Sequence, residues 1–192
     1  MANQLTGKKV AILVADGFEQ VELTEPKQAL EKAGAVAEIV SPSNGKVKGW
    51  NHRDWGTEFP IDTELNSAKP DRYDALLLPG GVMNPDKLRM NPKAVDFVKS
   101  FLRSNKPIAS ICHGPWMLIE AGAVRGRTLT SWPSLKTDIE NAGGKWVDQE
   151  VVTDAGIVTS RKPDDIPAFN QKMIEEFAKG VQQPKPGGSK VA

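Results

Sequence analysis

One cysteine and the histidine that follows it are the side chains best suited to chemistry in this sequence. Cys112 is the single cysteine of 192 residues, and it lies within Pro107-Ile-Ala-Ser-Ile-Cys-His-Gly-Pro-Trp116. An apolar run that enters a cysteine, then Gly114 and an apolar helix, predicts a nucleophile elbow. There the thiol projects at the carboxyl end of the sheet, and the helix N-terminus favours thiolate over thiol. The alternative is a small, buried, structural thiol.

The base that would assist this thiol has two candidates, because the sequence contains only His52 and His113. Neighbouring residues on a regular strand point to opposite faces, but the sharp turn of an elbow relaxes that limit, so His113 can reach Cys112. His52 lies in a polar segment, residues 49–55, and is better explained as a surface or rim residue. A histidine far downstream of the nucleophile, as in the α/β-hydrolases, does not exist in this chain.

Two glycines at the end of another apolar run are candidates for an oxyanion site. Gly80 and Gly81 follow Leu76-Leu-Leu-Pro79, and glycines let the backbone approach a ligand closely. If this strand ends beside Cys112, a backbone N–H group of the pair can hold an oxyanion. An ordinary turn at the end of a strand is the alternative.

A carboxyl group follows the first apolar run. Glu19 lies just before a predicted helix, where its negative charge would interact favourably with the helix dipole. At the same sheet edge it would also reach the thiol, and beside a thiolate it would keep its proton and donate a hydrogen bond. The residues alone leave both interpretations open.

Short apolar runs alternate with helical patterns, which predicts a doubly wound, flavodoxin-like α/β sandwich with a mostly parallel central sheet. The predicted strands are Lys9–Ala15, Ala37–Ser41, Ala75–Leu78 and Pro107–Ile111. The predicted helices are Val21–Ala33, Lys93–Arg103, Leu135–Ala142 and Ile166–Ala178. We further expect a small inserted hairpin over Trp50–Ile61, a β excursion over residues 145–160 that turns at Asp154-Ala155-Gly156, and a loop at Asn84–Lys87. Residues 1–181 are expected to form one domain, and residues 182–192 a flexible tail.

Composition limits the partners and the compartment. Twenty-five Lys and Arg residues balance 24 Asp and Glu residues, which argues against nucleic acid as a partner. The apolar runs are too short to span a bilayer, so no membrane partner is expected. The histidines and the cysteine lack zinc-like spacing and no dinucleotide fingerprint occurs, so we expect neither a metal nor a cofactor. A single cysteine and a polar N-terminus without a leader pattern predict a cytoplasmic protein.

The motifs together resemble the PfpI-type intracellular cysteine peptidase family, which belongs to the class I glutamine amidotransferase-like superfamily. The similarity runs from Lys8 to about Lys179. The matching stretches are Val14-Ala-Asp-Gly-Phe-Glu-Gln-Val-Glu-Leu23, Leu77-Leu-Pro-Gly-Gly81, Ala109-Ser-Ile-Cys-His-Gly-Pro115, Gly126-Arg-Thr-Leu-Thr-Ser131, Asp138–Trp146 and Ser160-Arg161.

The resemblance implies a role for each matching residue. Cys112 is expected to be the nucleophile and His113 its partner, with the N–H groups of Gly81 and His113 as the oxyanion hole. Glu19 is expected to bond the sulfur. Asp86, shorter by one methylene than the glutamate frequent in the family, would orient His113 across a subunit interface of a dimer or larger homo-oligomer.

The same resemblance implies a stress-response cysteine hydrolase. Its substrate would be a small carbonyl compound, a glycated protein or a peptide, and its activity that of a peptidase or a methylglyoxal deglycase. The alternative is a redox sensor or chaperone without enzymatic activity, in which Cys112 oxidises to a sulfinate held by Glu19.

Overall fold

The computed structural model describes residues 3–181. The tail expected at residues 182–192 lies outside this range.

A seven-stranded sheet forms the centre of the molecule. Its strands are β1 (Lys9–Leu13), β3 (Val36–Ser41), β6 (Thr63–Glu64), β7 (Ala75–Leu78), β8 (Ile108–Ile111), β11 (Val151–Asp154) and β12 (Ile157–Ser160). Their spatial order is β11-β12-β8-β7-β1-β3-β6, and every pairing is parallel except that of β11 with β12. The expected doubly wound sandwich with a mostly parallel sheet is therefore confirmed.

Helices cover both faces of this sheet. They are α1 (Gln20–Lys32), α2 (Met83–Arg89), α3 (Pro92–Arg103), α4 (Pro115–Glu120), α5 (Lys136–Asn141) and α6 (Ile166–Lys179). None of these described helices combines the length and the apolar character that crossing a bilayer requires.

The alternation of side chains along β1 divides the core into two layers. Val10 and Ile12 pack with residues of α1 and α6, such as Leu30 and Phe169. The intervening residues Ala11 and Leu13 belong to the second cluster, which includes side chains of α3 and α4. Burial of every β1 residue from Val10 onward explains why the strand reads as a continuous apolar run.

Two small sheets lie outside the central one. Strands β2 (Phe18–Glu19), β4 (Lys46–Asn51) and β5 (Asp54–Pro60) form the first, and β9 (Thr128–Leu129) pairs with β10 (Lys145–Trp146) in the second. The hairpin predicted for Trp50–Ile61 thus begins four residues earlier. It is also joined to β2, which follows β1 in the chain.

Two predictions of local structure were wrong. The segment Asn84–Lys87 was expected to be a loop, but it lies inside α2. The excursion expected at 145–160 does turn at Asp154-Ala155-Gly156, yet its second strand, β12, is part of the central sheet and pairs in parallel with β8. Only the partner strand reveals this role, because a four-residue apolar run carries no information about its neighbours.

Candidate active site

Cys112 occupies a strained turn between β8 and α4. Its φ of 62° lies in the left-handed region, which a side chain rarely adopts. Cys112 N–H donates to the Ser160 carbonyl at 3.1 Å, and the Cys112 carbonyl accepts from Trp132 N–H at 2.9 Å, so both neighbouring segments hold the turn. Cys112 as a whole residue is 7% exposed. This geometry is that of the expected nucleophile elbow.

Gly114 allows the turn to be this tight. A Cβ at this position would lie 2.5 Å from the Leu78 carbonyl oxygen and 2.6 Å from Ser110 Oγ. No side chain fits there, so glycine is required between the cysteine and the helix.

Of the two glycines that follow β7, Gly81 reaches the sulfur, while Gly80 N–H donates to Glu22 Oε2. The backbone N–H groups of Gly81 and His113 both hydrogen-bond to Cys112 and lower its pKa. Gly81 has a φ of 75°, and a Cβ there would lie 2.6 Å from Glu19 N and 2.7 Å from the Gly17 carbonyl oxygen. The N–H pair is therefore available to hold negative charge that develops near the sulfur.

Asn84, which the sequence analysis did not single out, fixes this glycine turn. The fully buried side chain accepts from Ala15 N–H at 2.8 Å. Its amide group donates to the carbonyl oxygens of Pro79 and Gly80 at 2.8 and 3.1 Å. One side chain thus ties the end of β7 to the end of β1.

The carboxyl group at the sulfur belongs to Glu22, which corrects the expectation for Glu19. Glu22 hydrogen-bonds to the Cys112 thiol and is completely buried. Its Oε2 accepts from Gly80 N–H at 2.8 Å, while Oε1 meets no nitrogen or oxygen partner among the described residues. Burial is the main reason that the pKa of Glu22 rises to about 8.

Glu19 instead contacts the β4–β5 hairpin. Its Oε1 accepts from His52 N–H at 3.4 Å and lies 3.9 Å from His52 Nδ1. The cause is local, because Glu19 ends β2 and pairs beside Trp50, whereas Glu22 lies on the first turn of α1. His52 is mostly exposed, as expected for a rim residue, and lies against Glu19.

A helical pattern in the sequence does distinguish the two glutamates. Glu22, Pro26 and Leu30 follow each other at intervals of four, and all three are buried on one face of α1. A carboxyl group on an apolar stripe at the carboxyl edge of the sheet was therefore a usable signal for a buried acid.

His113 lies beside the sulfur and between two indole rings. Its Nδ1 is 3.1 Å from Cys112 Sγ, and its Nε2 is 3.4 Å from Ser134 Oγ. The imidazole stacks on Trp132 with an interplanar angle of 24° and meets the edge of Trp116. Burial lowers the pKa of His113 to about 4, so the ring is neutral at pH 7.

The thiol itself is not acidified by its place at a helix start. Burial raises the pKa of Cys112, and negative charge on Glu22 raises it further, against the lowering effect of the Gly81 and His113 N–H groups. The six residues of α4 do not outweigh burial. A neutral Glu22 would therefore remove one of the two main causes that raise the pKa of Cys112.

Asp86 does not join this cluster within one chain. It is exposed on the first turn of α2. Within residues 3–181, no group of three or more His, Cys, Asp and Glu side chains is placed to hold a metal ion.

Substituting Gly81 tests the oxyanion geometry. We expect Gly81→Ala to lower the free energy of unfolding by about 2–4 kcal/mol for two reasons. The new Cβ would clash with backbone atoms, and alanine would have to adopt a positive φ. The rate of Cys112 alkylation should fall with it. Gly122→Ala is the matched control, since Gly122 has the same φ of 75° but open space around a Cβ, and it should cost only about 1–2 kcal/mol. Urea unfolding measures both variants. Equal losses of the free energy of unfolding, together with unchanged alkylation rates, would contradict the assignment.

Known proteins resemble this chain over most of its length. The model of the DJ-1/PfpI family matches residues 8–176. Protein/nucleic acid deglycase 2 of Escherichia coli is 43% identical over 169 residues, which are 87% of this chain and 96% of that protein. General stress protein 18 of Bacillus subtilis is 42% identical over 170 residues, 88% of this chain and 96% of the relative. Drosophila melanogaster DJ-1beta has a similar structure, with a TM-score of 0.81 and 29% identity over 93% of this chain and 91% of its own. The chain belongs to the DJ-1/PfpI family.

Proposed function

We propose that the protein is a stress-response cysteine hydrolase that acts on carbonyl adducts in the manner of a deglycase. The observation that carries this proposal is the set of groups around Cys112 Sγ: a buried carboxyl group, two backbone N–H groups and an imidazole nitrogen at 3.1 Å. The names of the relatives, two of which are a deglycase and a general stress protein, agree with it.

We place the proton that lies between Glu22 and Cys112 on the Glu22 carboxyl group, so that the sulfur is a thiolate. Glu22 has a single N–H donor, Gly80, and an orphaned buried oxygen, so its charged form is poorly solvated. Cys112 has two N–H donors. Once Glu22 is neutral, its charge no longer opposes the thiolate, and its O–H can donate to the sulfur.

In the proposed reaction, the adduct first releases its amine or thiol, which takes a proton from Glu22 or His113 while the adduct hydroxyl gives one back. Cys112 Sγ then adds to the aldehyde carbon freed in this way, and the π electron pair moves to the oxygen. This oxyanion accepts hydrogen bonds from Gly81 and His113 N–H. Glu22 or His113 then carries the proton of this carbon to the adjacent ketone carbon through an enediol. The product is a lactate thioester on Cys112, which water hydrolyses. Overall, a methylglyoxal–thiol adduct and one water yield the free thiol and lactate. The aldehyde carbon is oxidised while the adjacent ketone carbon is reduced, so no external oxidant is consumed.

A second candidate function is redox sensing, which the same donors favour. Two equivalents of peroxide would convert the Cys112 thiol to a sulfinate and release two waters. The sulfinate oxygens would accept hydrogen bonds from Glu22 and the N–H groups of Gly81 and His113.

Turnover separates the candidates. Purified protein is incubated with a methylglyoxal–thiol adduct, with methylglyoxal alone and with a peptide, and product is counted per protein chain. The proposal expects many equivalents of lactate from a carbonyl substrate. Many equivalents of cleaved peptide would establish the peptidase reading instead. At most one equivalent of any product, with sulfinate on Cys112 after peroxide treatment, would favour the sensor.

We also propose that Asp86 of a second copy of the chain accepts a hydrogen bond from His113, which makes the working form a homo-oligomer. The exposed position of Asp86 on α2 leaves it free to meet another subunit. Mixing inactive Cys112→Ala and Asp86→Ala proteins should then restore about a quarter of the wild-type sites in a dimer, because some sites combine an intact Cys112 with an intact Asp86. Full activity of Asp86→Ala alone, or a monomer in solution, would contradict this proposal.

Cytoplasmic localisation also stays a prediction.

A further inference from the structure

The far side of the His113 ring has a partner in the same chain. Ser134 Oγ lies 3.4 Å from Nε2, opposite the Nδ1 atom that faces the sulfur. A neutral imidazole carries one proton, and the hydrogen bond at one nitrogen decides which nitrogen holds it. The hydroxyl of Ser134 is therefore placed to influence where the proton of His113 lies.

The segment that carries Ser134 is fixed to the elbow. Trp132 N–H donates to the Cys112 carbonyl at 2.9 Å, and Leu135 N–H donates to the Trp132 carbonyl at 3.0 Å. Leu135 is fully buried, and Trp132 stacks on the imidazole. The hydroxyl thus belongs to a turn, Pro133–Leu135, whose neighbours on both sides are held in place.

We propose that Ser134 is a positioning residue that donates its O–H to His113 Nε2 and so keeps the ring proton on Nδ1, next to Cys112 Sγ. In this tautomer Nδ1–H donates to the thiolate and is available to protonate a leaving group. The opposite tautomer would turn a lone pair toward the thiolate. When the ring gains a second proton, the same hydroxyl rotates and accepts from Nε2–H, because a hydroxyl is both donor and acceptor.

This role is distinct from that proposed for Asp86. Ser134 sets the tautomer of the neutral His113 ring in its own chain, whereas Asp86 of another subunit would accept from Nε2–H only when the ring is doubly protonated. Mixing Cys112→Ala with Ser134→Ala should therefore leave the hybrid sites no better than those of Ser134→Ala alone.

Nuclear magnetic resonance of the two histidines tests the tautomer without any substrate. The wild-type ¹⁵N shifts of His113, assigned by loss of the His52 signals in His52→Gln, should be those of the Nδ1–H form once Cys112 is ionised. Ser134→Ala should move them toward a mixture, while Ser134→Thr, which keeps the hydroxyl, should not. Ser67→Ala is the matched control, because this exposed hydroxyl donates to the Glu64 carbonyl in its own turn, away from the histidine.

Kinetics supply the second measurement, which rests on the proposed function. Ser134→Ala should lower kcat about three- to tenfold with little change in KM, as expected for one neutral hydrogen bond, and Ser134→Thr should restore it. An Nε2–H wild-type ring, or a Ser134→Ala protein with unchanged ring shifts, would overturn the assignment. Absence of turnover in wild type would refute the hydrolase instead, and the ring shifts would still decide the role of Ser134.

Discussion

Replacing Cys112 by serine is expected to reduce turnover of a methylglyoxal–thiol adduct by at least about a thousandfold. Serine preserves the size and hydrogen-bonding capacity of the side chain on the strained turn. Its hydroxyl has a far higher pKa than a thiol, however, and the neutral His113 beside it is a weak base, since burial lowers the pKa of the ring to about 4. The reaction therefore loses its nucleophile while the site keeps its shape.

Folding must be shown to survive this change. Near-ultraviolet circular dichroism of Cys112→Ser should match the wild type, because Trp116 and Trp132 pack on the His113 ring beside the elbow. Activity within about tenfold of the wild type in a correctly folded Cys112→Ser protein would show that the sulfur is not the nucleophile.

Replacing Glu22 by glutamine is expected to have the second large effect, on the pH dependence of stability. The pKa of Glu22 in the folded protein is about 8, against 4.5 for an ordinary glutamate. Between these values the folded protein keeps a proton that the unfolded chain releases, so this group's contribution to stability falls as pH rises. Glutamine does not titrate. The free energy of unfolding of Glu22→Gln relative to wild type should therefore increase by about 1.4 kcal/mol per pH unit across this window.

The same substitution should preserve the hydrogen bonds at the sulfur. A glutamine amide can accept from Gly80 N–H and donate to the thiolate, as a protonated glutamate does. We therefore expect Cys112 alkylation to continue in Glu22→Gln and to slow in Glu22→Asp, whose shorter side chain cannot span the same gap.

Glu19→Gln is the matched control for both measurements. Glu19 lies three residues before Glu22, is partly buried and contacts His52 rather than the thiol. Urea unfolding between about pH 5 and pH 8 compares the three proteins. A constant difference between Glu22→Gln and wild type across this range, or a Glu19→Gln effect as large as that of Glu22→Gln, would contradict the assignment.

The sequence was sufficient for the parts of the fold that depend on local burial. The four expected strands and four expected helices all occur, with ends that differ by at most two residues, because strands buried on both faces and helices with one apolar stripe have characteristic patterns. The elbow at Cys112 was predictable for the same reason, since a buried strand, a glycine and an apolar helix must meet there.

Contacts between segments were harder to predict. The distinction between Glu19 and Glu22 depends on where β2 ends and α1 begins, and two-residue strands have no pattern of their own. Asn84 and Ser134 act through side-chain hydrogen bonds to residues 69 and 21 positions away. Such contacts follow from the arrangement of β1, β7 and β8, which no single stretch of sequence encodes.

The pH dependence of Cys112 alkylation by iodoacetamide tests the central claim most directly, because the chain has one cysteine and every modification event reports on it. If Glu22 holds the proton and the sulfur is a thiolate, the rate should reach half its maximum clearly below the free-thiol value of about 8.5. Glu22→Gln should keep this low midpoint. A wild-type midpoint at or above about 8.5 would show that the proton stays on the sulfur and would contradict the account.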